Sequence, residues 1–450
     1  MATLIASVPT PSGLSIAGQR ALAVTLLATV LWTTEALPLA ATGLGCVALL
    51  ATSEAVPSLA EALYGFAQPV PYFLFGVLVL GLAAGKSGLA ARAALWFLTL
   101  ARGRPTLLYW QLVCSFAALA FVLPSASTRT GVQAPVYHEA LQLMKAGTDS
   151  RLGKAVMQAL AQLNRLGSTA LLTGGVTPVM AAALLGGLGW GEWFVLMGVP
   201  VYVNLAAGAV AVYMTYRPFE GACPPQELAH LRRSSGSLAR EMRTAAVMLG
   251  VSALWLTDSW HHLDPALPAL LGAVLMVTPG VGVLTWSEVE RGVGMAMVFV
   301  IASSLSLAHA VVTTGAAAWL GSWLVDALRP LAGTPVLLVA GLLAASLIAR
   351  IILSSITAYL TILIPVVMAL APAVGLNPLV CGLLITLVGD AVLYYAAQSS
   401  SSLVPFQYGY LTGLEVLRLG VIMTLVAVAV GLFVALPYWA WLGHPLIMPR

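Results

Sequence analysis

Charge is the scarcest property of this sequence. Only 8% of its 450 residues are Asp, Glu, Lys or Arg, against about a quarter in a soluble globular domain. Hydrophobic residues reach 60%, and the mean hydropathy is +0.96. No water-soluble fold hides that much apolar surface, so the chain is a polytopic membrane protein. Alternation in segments of about ten residues is also lacking, which excludes a β-barrel and leaves helices. Excess charge of one sign is missing: the net charge of +4 is dispersed and offers nucleic acid no basic patch. The four cysteines (Cys46, Cys114, Cys223 and Cys381) are scattered, so neither a disulfide framework nor a zinc site is expected. The first twenty residues lack the basic start, apolar core and small-residue cleavage site of a removable signal peptide. No phosphate-binding loop, His-Glu-x-x-His pattern, Ser-with-His motif or pair of intramembrane aspartates occurs. An ATP-driven pump and an intramembrane enzyme are disfavoured accordingly, and no repeated filter motif points to a channel.

What is present is a series of apolar stretches, roughly 18–36, 37–52, 70–86, 106–122, 155–186, 191–215, 244–260, 266–281, 292–311, 333–353, 376–396 and 415–441. Several fall short of the ~20 residues a spanning helix needs. Others are broken by Pro or Gly-Gly, as in TALLTGGVTPVMAAALLGG. Unwound backbone at membrane depth survives only where protein buries it or it lines a polar cavity, and broken helices are a mark of transporters. The polar stretch Arg217–Arg243 holds Arg217, Arg232, Arg233, Arg240 and Arg243 against Glu220, Glu227 and Glu241. It reads as a solvated loop whose basic excess places it in the cytoplasm. Lys145, Arg151 and Lys154 lean the same way.

That loop divides two similar halves. Trp32-Thr-Thr-Glu35 is echoed by Trp255-Leu-Thr-Asp258, and LPLAATGLGCVALL by LPALLGAVLMV. SGLAARAALWFL from Ser87 pairs with TGAAAWLGSWLV from Thr314, SASTRTGVQAPV from Ser125 with SITAYLTILIPV from Ser355, and GGVTPV with SSLVPF. Five matches in one order, at offsets of 223 to 230 positions, indicate an internal repeat.

The pattern TEALPLAATGL, then GLAARAALW, then a Ser-x-Thr-type cluster ten residues before Pro135, resembles the divalent anion:sodium symporter family over roughly residues 20 to 440. The resemblance implies carriage of dicarboxylates, citrate or sulfate, and an all-α polytopic fold. That fold has about 11 transmembrane helices plus two re-entrant hairpins in two inverted repeats. Residues 1–19 would be an N-terminal segment and 20–216 the first repeat, with a hairpin near 118–136. Residues 217–243 would be the cytoplasmic linker, and 244–450 the second repeat with a hairpin near 348–366. The family's Ser-Asn-Thr hairpin motifs fall on Ser125-Ala126-Ser127 and Ser355-Ile356-Thr357. Its facing turns fall on Thr173-Gly174-Gly175-Val176-Thr177-Pro178 and on Ser399–Ser402, running to Pro405. Ala126 and Ile356 stand where sodium-coupled members carry asparagine, and neither offers an oxygen. PSASTRTG is closer to the PSNTARTGG of the family's anion exchangers.

The residues argue for an anion without the family. Hydroxyls and amides at a helix N-terminus suit one. Ser125, Ser127, Thr128 and Thr130 donate without adding charge, and Arg129 brings a bidentate fork. Ser354, Ser355 and Thr357, with Arg350 upstream, repeat the arrangement. The two arginines either stand in for two sodium charges around a dianion or serve structure, Arg129 by snorkelling at a hairpin base. Asp390 either carries a proton or, in the favoured reading, forms a buried pair with Arg350 or Arg129. His309 is expected to be a satisfied structural histidine, Glu35 a hydrogen-bonded structural group, and His261-His262 a loop at the membrane edge.

The expected substrate-binding set is Ser125, Ala126, Ser127, Thr128, Arg129, Thr130, Thr177, Pro178, Ser354, Ser355, Ile356, Thr357, Ser401, Ser402 and Pro405. Ion-coupling candidates are Ser125, Ser127, Gly174, Ser355, Thr357, Arg350 and Asp390, with Na+ or H+ as the coupling ion and no other cofactor. The expected function is secondary transport of a small divalent anion, a C4-dicarboxylate first and sulfate or another oxyanion second. Alternating access of the elevator type, as antiporter or ion-coupled symporter, and a homodimer in the inner (plasma) membrane complete the expectation.

Overall fold

The computed structural model describes residues 9–34, 36–121, 123, 125–219, 237–328, 335–353, 355–395 and 398–448. Glu35, Ser354 and most of the expected linker (220–236) lie outside the described residues. Every named element is helical, and one isolated antiparallel bridge joins Leu376 to Ile447.

Before the linker come α1 (Ile16–Thr34), α2 (Leu39–Thr52), α3 (Pro69–Ser87), α4 (Leu89–Thr99), α5 (Pro105–Ala120) and α6 (Ala126–Leu143). Then follow α7 (Arg151–Gln158), a π turn (Ala159–Leu163), α8 (Asn164–Thr169), α9 (Val176–Leu184) and α10 (Trp190–Tyr216). After it come α11 (Leu238–Leu256), α12 (Ala266–Val277), α13 (Met295–Thr313), α14 (Ala316–Leu328), α15 (Pro335–Ile352) and α16 (Ile356–Ala373). The chain ends with α17 (Pro378–Ala391), α18 (Ser400–Gln407), α19 (Gly413–Val430), a second π turn (Gly431–Ala435) and α20 (Leu436–Trp441). Among the described residues, five segments are long and apolar enough to cross a membrane: Pro69–Ser87, Trp190–Tyr216, Met295–Thr313, Ile356–Ala373 and Gly413–Trp441.

Local chemistry sets the ends. Pro69 and Pro105 open α3 and α5, where a missing N–H costs nothing. Gly88 closes α3 at φ +91°, a conformation cheap only for glycine. Asn377 caps α17 by accepting from the amides of Leu379 and Val380. Outside the long helices, Thr285 and Glu288 form a capping box. Bonds from the Thr285 backbone, with smaller help from Lys86, hold the Glu288 carboxyl below the usual carboxylate range. Two helices outrun their expected hairpins: α6 continues to Leu143 and α16 to Ala373, each with proline inside. A fully packed neighbourhood carries them past those prolines, as Tyr137, Leu141, Val367 and Ala371 are all buried.

The packing is reciprocal. Helix α2 lies on α13, and α3 on α12. Gly43 and Gly76 permit this approach: a Cβ on Gly76 would stand 2.6 Å from the Ala269 backbone, and one on Gly43 2.6 Å from Ser303 Oγ. The paired tryptophans make the same bond in each half. The Trp32 indole donates to Leu39 O and the Trp255 indole to Pro265 O, each at 3.0 Å, fastening the turn that follows. Helices α5 and α6 form one hairpin, α15 and α16 another. The unwound stretch before α9 sets that helix against α16, and the one before α18 sets that helix against α6. Each broken helix thus meets the hairpin of the opposite half.

Candidate functional site

The two hairpin tips and the two breaks converge on one cavity of about 310 Å³. Its polar side is Ser125–Ser127, Ser355–Thr357, Gly174–Pro178, Gln398, Ser399 and Ser401, with Arg165, Ser168 and Thr169 of α8. Its apolar side is Trp32, Leu39, Leu74, Val77, Leu78, Met297 and Val300, from α1, α2, α3 and α13. One group of elements thus contributes only apolar side chains, and the other brings the polar groups together with Ala126, Val176, Ile356 and Leu403.

Each tip is built the same way. Ser125 is the N-cap of α6 and accepts from the Thr128 amide; Ser355 is the N-cap of α16 and accepts from the Ala358 amide. The serines cap their helices where the sequence pattern placed hydroxyls. At the first break, Gly174 donates its amide to Leu171 O, and a Cβ there would lie 1.8 Å from Ser168 O. Only glycine fits that turn. Four helices, α6, α9, α16 and α18, begin at this cavity with their positive ends.

Of the residues singled out from sequence, Ser125, Ala126, Ser127, Gly174, Thr177, Pro178, Ser355, Ile356, Thr357 and Ser401 line the cavity. Thr128, Arg129, Thr130, Arg350, Asp390, Ser402 and Pro405 do not. Ser402 turns away and donates to Ala161 O in the π turn at 2.6 Å. Thr130 accepts from Asn164 Nδ2 at 2.6 Å.

Arg129 neither reaches the cavity nor snorkels. It is fully buried and spends its guanidinium on oxygens: Nε on Asn164 Oδ1 (2.9 Å), Nη1 on Leu123 O (2.7 Å), Nη2 on Asn164 O (2.9 Å) and Ser168 Oγ (2.7 Å). Full burial leaves no water for a snorkelling head, so neighbouring backbone and side-chain oxygens replace it. Arg350 is equally buried and donates to Leu353 O (2.7 Å) and Gly389 O (3.1 Å). Each arginine braces the chain beside its hairpin tip.

Asp390 does sit in a buried ion pair, and its direct contact is Arg165, with the buried Arg350 near enough to feel its charge. Arg165 Nε faces Asp390 Oδ1 at 3.7 Å. The Asp390 carboxylate also accepts from Thr177 Oγ1 at 3.0 Å and, through Oδ2, from Thr169. Arg165 escaped the sequence reading because it lies inside a long apolar stretch, although Ser168 and Thr169 follow it by one helical turn. A lone arginine in such a stretch was the signal available. His309 is satisfied: it meets Glu61 at 3.0 Å and stacks on Tyr64 with ring centroids 3.7 Å apart.

The family description that matches the chain is the sodium:sulfate symporter transmembrane region, over residues 1–444. A Cupriavidus necator membrane protein is 25% identical over 98% of this chain and 91% of its own length. Dicarboxylate transporter 1, chloroplastic, of Arabidopsis thaliana is 29% identical over 62% of this chain and 52% of its own. The L-tartrate/succinate antiporter of Shigella boydii is 24% identical over 82% and 78%. Among solved structures, the YdaH transporter of Alcanivorax borkumensis shares the fold with a TM-score of 0.52 at 14% identity, over 94% of this chain and all of that one. The chain belongs to the sodium:sulfate symporter family, the divalent anion:sodium symporters its motifs resemble, and is a membrane transporter and not an enzyme.

Proposed function

We propose that this chain is a secondary carrier of small divalent anions, C4-dicarboxylates first, that works as an exchanger. The observation that carries the proposal is the convergence of four helix N-termini on one hydroxyl-lined cavity. Each N-terminus is equivalent to about +0.5 charge, so together they present about two positive charges to a dianion. The names of the Arabidopsis and Shigella relatives agree with that substrate class.

Exchange is favoured over sodium symport by the two arginines. A sodium ion takes carbonyl, amide and hydroxyl oxygens as ligands. Beside the first tip those oxygens (Leu123 O, Asn164 O and Oδ1, Ser168 Oγ) already accept from Arg129. Beside the second, Leu353 O and Gly389 O accept from Arg350. Ala126 and Ile356 add only carbon to the cavity wall. Fixed guanidiniums thus stand where mobile cations would be bound, away from the substrate itself. A carrier whose cations are built in needs an anion to return it.

The order of elements supports two inverted repeats, α1–α10 and α11–α20, with the hairpins re-entrant and about 11 spans in all. The apolar wall belongs to a static scaffold and the polar wall to a part that moves past it, the elevator arrangement. A homodimer in the inner (plasma) membrane, with the basic linker in the cytoplasm, completes the proposal.

Uptake of labelled succinate into proteoliposomes tests it, with and without internal dianion and with and without a sodium gradient. Uptake is expected to require internal dianion and to ignore sodium. Uptake driven by sodium into vesicles without internal dianion would overturn exchange and show that the tips still bind sodium.

A further inference from the structure

Among the described residues, Arg165 is the one charged side chain lining the cavity. Its side chain is 11% exposed and that of Asp390 1%. Nη2 of Arg165 is tied to Asp390 O and, at 3.5 Å, to Val392 O, while Nε lies over the Asp390 carboxylate. Among the described residues nothing accepts from Nη1. Asp390 meanwhile has both carboxylate oxygens occupied by the hydroxyls of Thr169 and Thr177. One edge of the guanidinium is therefore anchored to the second half of the chain, and the other is left to the cavity. Nη1 carries two N–H donors and part of the positive charge, and it donates to a carboxylate without reorganising when the rest of the guanidinium is already held.

We propose that Arg165 binds one carboxylate of the substrate and that Asp390 is the positioning residue that aims it. The inference rests on the transport reading above and refines its substrate. Arg165 sits on α8, whereas the two serine-capped tips belong to α6 and α16. One carboxylate goes to Arg165 and the other to the tips, so the site selects a diacid with separated charges over a monoacid or a compact oxyanion. Thr177 ties the arrangement to α9, because the same hydroxyl that lines the cavity donates to Asp390.

The test uses purified full-length protein, with melting measured against succinate, sulfate and acetate, and exchange measured in proteoliposomes. Wild type is expected to be stabilised by succinate more than by sulfate or acetate. The double variant Arg165→Gln/Asp390→Asn removes both charges of the pair together and leaves the net charge beside Arg350 unchanged, so it should melt near wild type without ligand. Its KM for succinate should rise about 100-fold, the loss expected when a charge-assisted pair to the substrate is removed. Arg165→Lys keeps the charge and loses the planar head anchored on Asp390; its KM should rise about tenfold with kcat retained. An unchanged KM in either variant would overturn the proposal and leave the pair a structural tie. A wild-type protein stabilised and exchanged by no dianion would instead overturn the transport reading, and this inference with it.

Discussion

Arg129 makes four hydrogen bonds, all to oxygens of its own chain, in a place where no water reaches it. Arg129→Gln withdraws donors from several buried acceptors at once, each worth about 1–3 kcal/mol when left unsatisfied. The expected result is a melting temperature well below wild type in detergent, with exchange lost in proportion to folded protein. A variant that melts like wild type yet fails to exchange would return Arg129 to the substrate site. The sequence marked Arg129 as a cation costly to bury, and the structure buries it. It could not say which oxygens it would meet, because Asn164 and Ser168 lie on a different helix and no local pattern links them. Asp390 shows the same limit from the other side: Arg350 does feel its charge, but the direct ion pair is with Arg165, 225 positions away in sequence.

Among the elements, the close crossings are the most sensitive. Helix α3 can lie on α12 only because Gly76 has no side chain. Gly76→Leu forces an overpacked contact with backbone, which cannot swing aside, and should cost about 1–3 kcal/mol. Lowered yield and lowered melting temperature would show it; unchanged melting would mean the two helices separate freely. Capping was the most legible feature at this scale. Ser125 and Ser355 sit one residue before a helix, and both cap it as a serine there is expected to. The lengths of α6 and α16 were less legible. Proline normally stops a helix, and here Pro135 and Pro365 lie inside helices that tertiary packing holds together.

For the whole molecule, the cavity lies between an apolar wall from α1–α3 and α13 and a polar wall from the hairpins and breaks. If the polar wall travels past the apolar one, a bridge between them stops transport. With the four native cysteines replaced, Leu74→Cys on α3 and Ile356→Cys at the second tip should be joined by a cleavable bifunctional thiol reagent. Exchange should fall by more than tenfold and return on reduction. Full exchange by the bridged protein would rule out relative movement of these walls.

The sequence by itself determined the membrane class, the helical architecture and the two hydroxyl clusters with their glycine- and proline-marked breaks. Those properties are local: hydropathy, period, capping and turn chemistry act within a few residues of the chain. Only the tertiary structure decided which polar groups share a cavity. It took Arg129 and Arg350 out of the cavity wall and put Arg165 into it, and it joined Asp390 to Thr169 and Thr177. The physical reason is that a buried charge is governed by whatever oxygens and hydroxyls surround it in space, and here those arrive from helices hundreds of residues apart.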